Sequence, residues 1–95
     1  MKITITQPAA AWYSNELELS EGDHLRFYVR LGGCSTVQSG FSLGVAKEAP
    51  KETGASVEQD GITFYVERED LWYFDGHDLT IDFNKENEDV DFLYE

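Results

Sequence analysis

A single cysteine, Cys34, stands among the 95 residues. An intramolecular disulfide is thereby excluded, as is a zinc site built within one chain from four cysteines, or from two cysteines and two histidines. So sparing a use of thiols fits a reducing compartment, and the expected location is cytoplasmic. Long apolar runs are also missing. No segment approaches the ~18 apolar residues needed to cross a bilayer, and the opening MKITITQPAAAW has no apolar stretch of the secretory type. Positive charge is scarce: seven Lys and Arg face nineteen Asp and Glu, for a net charge of −12. The deficit is concentrated. From Glu58 onward thirteen carboxylates oppose only Arg68 and Lys85. A field of that sign repels nucleic acid and anionic membrane and leaves a basic protein partner or a cation as what it attracts; otherwise it is a solvated, solubilising face. Catalytic signatures are absent too. There is no G-x-S-x-G, no phosphate-cradling glycine loop and no HExxH, so no enzyme is expected. The acidic run NKENEDVD lacks the ligand spacing of an EF-hand.

What is present is core material. Apolar residues make up 41% and aromatics 14%, enough for one core, and the length suits one domain over residues 1–95. Residues 2–6, KITIT, alternate and are β-branched, which predicts a short strand. Thr6 or Gln7 caps a helix over residues 8–19, with Pro8 in its first turn and Ala10, Tyr13 and Leu17 on one face. Residues 25–31 alternate strictly, with Leu25, Phe27, Val29 and Leu31 on one side. A glycine-rich connection, GGCSTVQSG, leads to a second strand, FSLGVA. KEAPKETGA reads as a surface loop. SVEQDG and ITFYVE form a hairpin turning on Asp60-Gly61. REDLWYF opens as a helical turn that carries Trp72 and Phe74 into the core. Asp75-Gly76 turns into LTIDF, and VDFLY closes the chain as a last strand. Six or seven strands with one N-terminal helix predict a mainly β, α+β fold: an antiparallel sandwich or open barrel with the helix packed on it. The expected core comprises Leu25, Phe27, Val29, Leu43, Val45, Phe64, Val66, Leu71, Ile81 and Phe83.

Three stretches, in order and spanning nearly the whole chain, resemble the HesB/IscA-like family. ITITQPAAAWYSNEL resembles its opening strand and alanine-bearing helix. LRFYVRLGGCSTVQSGFSLGV resembles its strand running into a Gly-Cys-Ser loop, and DGITFYVEREDLWYFDGHDLTIDF its later strands with an Asp-Gly turn. The resemblance implies a compact mixed-β fold and a role in assembling or carrying iron–sulfur clusters. Typical members have a further Cys-Gly-Cys segment that these residues do not contain, so only Cys34 carries over as a ligand position.

Cys34 is therefore the main candidate site, with Gly32, Gly33 and Ser35 forming the loop around it. Two glycines let backbone N–H groups approach the sulfur and favour its thiolate. A cluster needs about four soft ligands. One chain supplies one cysteine and a symmetric homodimer two, so iron or an iron–sulfur cluster would need a dimer, a partner or an exogenous thiol. His77 and His24 are weaker candidates, both in turns. Two functions follow: an iron–sulfur accessory acting with a client or donor protein, or a protein-interaction module that kept the fold and lost the cluster chemistry.

Overall fold

The computed structural model describes residues 1–34 and 37–95, with Cys34 described through its backbone alone. The chain forms β1 (Ile3–Ile5), α1 (Gln7–Glu16), β2 (His24–Cys34), β3 (Ser39–Lys47), β4 (Thr53–Gln59), β5 (Ile62–Glu67), a 3-10 helix (Arg68–Phe74), β6 (Leu79–Asn84) and β7 (Asp89–Tyr94). Two open sheets result, with strand orders β1-β6-β7 and β3-β2-β5-β4. The mainly β expectation holds, and neither sheet closes into a barrel.

The local reasons are legible. Thr6 caps α1, its hydroxyl accepting from the Ala9 amide, and Pro8 needs no amide partner in the first turn. The alternation of β2 places Leu25 and Phe27 wholly inside. Asp60 and Gly61 both take positive φ, 57° and 79°, the paired left-handed geometry of a two-residue hairpin turn. Across the sheets Phe27 lies edge-on to Phe92 of β7 at 6.0 Å and to Tyr13 of α1 at 5.6 Å, with Phe64 beside it at 6.3 Å. A second aromatic group, Tyr73, Phe74 and Tyr94, is stitched by a 3.0 Å bond between the Tyr73 and Tyr94 hydroxyls.

Four expectations need correction. The sheets are not purely antiparallel: β1 pairs with β6, and β2 with β5, in parallel. The loop read at KEAPKETGA is shorter, because Thr53, Gly54 and Ala55 belong to β4. Gly54 is needed there, since a Cβ would sit 2.9 Å from Leu71 carbons. Helix α1 ends at Glu16, and Leu17 turns outward as its C-cap, ahead of Glu18 at φ 52°. Trp72 is not in the core; it is half exposed, while Tyr73 and Phe74 take the interior positions. Of the expected core, Leu25, Phe27, Phe64, Val66 and Ile81 are buried, and Val29, Leu43, Val45, Leu71 and Phe83 pack partly buried against them.

Buried phenols make this fold sensitive to alkali. Loss of hydration raises the pKa of Tyr13, with the Asp89 charge adding to it, and likewise that of Tyr94, whose hydroxyl is hydrogen-bonded to Tyr73. A group raised on folding contributes stability that is full below its ordinary value, near 10 for tyrosine, and that is lost as pH climbs through the folded value. Tyrosinate absorbance from these rings should therefore emerge together with alkaline unfolding. Tyr13→Phe should move that unfolding midpoint upward; an unchanged or lower midpoint would contradict the assignment.

Candidate functional site

At the far end of the β2–β3 hairpin the glycine-rich connection is shorter than expected: Gly32, Gly33 and Cys34 end β2, and Ser39 and Gly40 open β3. Gly32 and Gly33 take φ of 100° and 76°, and the register slips between Leu31 and Cys34 as two residues of β2 bulge out. The Ser42 hydroxyl on β3 donates to the Gly32 carbonyl at 3.0 Å and holds the bulge in place. A Cβ on Gly33 would press on the same serine at 3.1 Å. The Cys34 backbone pairs with Ser39, but its thiol lies outside the described residues, as does Ser35 entirely.

Around this end the surface is apolar. Leu31 is 80% exposed and Trp72 52%, with the Trp72 ring edge-on to Phe41 at 5.3 Å. Three large apolar side chains near one hairpin end form the kind of surface that marks a protein contact. Sequence reading put Trp72 inside and did not find this patch.

The histidines stand apart from one another. His24 opens β2, edge-on to Tyr65 at 6.4 Å, and Cys34 closes the same eleven-residue strand. At ~3.3 Å per residue that separation is about 30 Å, so His24 does not join Cys34 within one chain. His77 is exposed beyond the 3-10 helix, its Nδ1 2.9 Å from the Phe74 carbonyl. Among the described residues no three His, Cys, Asp or Glu side chains gather as metal ligands do. The donor set of one chain does not fit an iron–sulfur cluster.

A polar cluster on the other face of the same sheet was also missed. The Arg26 guanidinium contacts Asp70 at 2.9 Å and Glu48 and Glu69 at 3.1 Å each. Burial alone would lower its proton affinity, but the hydrogen bonds and charges of Asp70 and Glu48 outweigh that and hold it raised. The nearly buried Glu67 carboxylate accepts from the Lys51 and Glu52 amides, and the Tyr65 hydroxyl donates to the Glu48 carbonyl at 2.7 Å. Together they fasten the 48–52 segment over β5. The arrangement is structural: each carboxylate already has its partner.

A groove of about 520 Å³ opens where α1 meets β3 and β7, with Tyr28 and Arg30 of β2 also in its lining. Its apolar lining includes Trp12, Leu17, Leu43, Val45, Val90 and Phe92, with Glu16, Arg30 and Asp89 among its charged groups.

Comparison with known proteins adds the following. The model of the family described as iron–sulphur cluster biosynthesis matches residues 1–94. The chain is 54% identical to a Bacillus subtilis protein named pyruvate dehydrogenase inhibitor, over all of both chains. It is 38% identical to an uncharacterized Staphylococcus saprophyticus protein, over 97% of each. Among solved structures, IscA with a [2Fe-2S] cluster superposes with a TM-score of 0.55 at 20% identity, covering 98% of this chain and 80% of that one. That likeness is one of fold.

Proposed function

The chain belongs to the iron–sulphur cluster biosynthesis family, and from that premise we propose that it is a protein-binding regulator that inhibits pyruvate dehydrogenase. The observation that carries this reading is the full-length, 54% identity to the Bacillus subtilis inhibitor. The chemistry supports it: a chain with one cysteine is short of cluster ligands, while the hairpin end offers an apolar contact surface. Inhibition through a contact surface needs no catalytic group. The net charge of −12 favours a partner face that is basic.

Purified chain added to a reconstituted pyruvate dehydrogenase complex should depress NADH production to a plateau. Leu31→Ser with Trp72→Ser should weaken inhibition at least tenfold, on the order of the 1.4 kcal/mol or more that a buried contact residue contributes. Cys34→Ala should inhibit as the parent does. A complex whose rate is indifferent to excess chain would overturn the proposal.

A second reading is favoured by the family match over residues 1–94. Cys34 from each of two copies, completed by an exogenous thiol, a partner, or His77 or His24 of a second copy, would hold an iron–sulfur cluster as cargo. Anaerobic reconstitution with iron, sulfide and glutathione separates the two. A chromophore lost in Cys34→Ala supports the carrier, and no chromophore leaves the regulator.

A further inference from the structure

Four strands lie at the sheet edges, and three are protected. β1 has only three residues. β4 is backed by the 3-10 helix, where Leu71 crowds Gly54. β7 carries Asp89 and Asp91, with Glu95 just beyond its end. β3 is different. It has nine residues, no proline and a single charge, Lys47 at its end, which is engaged by Asp23 at 3.2 Å. Among the described residues β3 pairs with β2 alone, so its outer row of N–H and C=O groups is open.

What lies beside that edge matters as much. Leu43 and Val45 of β3 line the 520 Å³ groove, and its other walls come from α1, β7 and Tyr28 and Arg30 of β2. A strand laid along β3 would turn every second side chain into this groove, because side chains alternate along a strand. Trp12, Leu17, Val90 and Phe92 would receive apolar groups there. The two carboxylates Glu16 and Asp89 outnumber Arg30 among the charged groups of the lining and would meet a cation, and Asp89 lies close enough to influence Tyr13. Tyr28 lies over Gly44, where a Cβ would come within 2.7 Å of its ring, and both also line the groove.

We propose that the β3 edge is a strand-addition site for an extended segment of a partner protein, with apolar residues alternating and a lysine or arginine beside Glu16 and Asp89. Backbone bonds to β3 supply affinity, and the groove and its carboxylates supply selection. A second copy is the weaker occupant, since each copy brings a charge of −12. The inference deepens the partner-binding reading above. Its test contains no dehydrogenase, so a chain that inhibits the enzyme yet ignores the probe sinks the edge alone.

The probe is a fluorescent, end-blocked octapeptide of alternating valine and lysine. Polarisation should rise saturably, and amide exchange in β3 should slow on binding. N-methylation of the peptide nitrogens along one edge should weaken binding at least about tenfold, because those donors are then lost from the ladder. Leu43→Lys, which sets a charge on the edge, should do the same while the circular dichroism spectrum of the free chain stays unchanged. Equal binding of the N-methylated peptide would mean a groove without strand addition and would overturn the proposal. So would absence of binding, or β3 protection that rises with chain concentration alone, which assigns the edge to a second copy.

Discussion

Phe27→Ala should lower stability by about 3–5 kcal/mol, the range for truncating a buried phenylalanine. Phe27 is wholly buried and touches each layer: Tyr13 from α1, Phe64 from the neighbouring strand β5 and Phe92 from the facing sheet. Removing it withdraws apolar burial and edge-to-face contacts together and leaves a void that three large rings cannot close without moving. Natural domains hold only about 5–15 kcal/mol in total, so the variant should be partly unfolded at room temperature. Urea unfolding followed by circular dichroism checks this. The midpoint should fall sharply with little change in slope. A loss under about 1 kcal/mol would mean that the two sheets are held together elsewhere than around Phe27.

The same residue shows how far sequence reading reaches. Strict alternation over 25–31 placed Phe27 inside, because a period of two leaves one side of a strand no other place to go. The Thr6 cap and the Asp60-Gly61 turn were equally local and equally legible. The parallel pairings of β1 with β6 and of β2 with β5 were not, because alternation is identical for either strand direction and the partners are far apart in sequence. β4 began as a loop in sequence reading because Thr53, Gly54 and Ala55 follow a polar, proline-bearing stretch. What makes them strand is pairing with β5 and the close approach of Leu71. Trp72 shows the limit of composition: large and aromatic, it sits on the outer side of a tight helical turn whose next two residues fill the interior. The patch it forms with Leu31 and Phe41 was therefore hidden, as was the open edge of β3, which depends on strand order rather than on any motif. Cys34 was legible as a family position, but ligand geometry was not: the distance between His24 and Cys34 follows only once both are known to lie on one strand.

Arg26 is the least legible residue of consequence and carries the second large effect. In sequence it is the polar half of an alternating strand. In the fold it is the cation for three carboxylates that come from positions 48, 69 and 70. Their contributions are unequal. Glu48 and Glu69 are well exposed, and solvent screens such pairs to about 0–1 kcal/mol. Asp70 is 12% exposed at its side chain and would be left charged without a cation in Arg26→Ala. Breaking a buried pair by removing one partner costs about 3–5 kcal/mol; with Arg26 itself one-fifth exposed, we expect about 2–4 kcal/mol here. Asp70→Asn in the Arg26→Ala background removes the stranded charge and should restore part of the loss, giving a coupling of about 1–3 kcal/mol in a double-mutant cycle. An absence of coupling in the cycle would show that Arg26 stabilises the sheet through its aliphatic stem and its stacking on Tyr28, and not through Asp70.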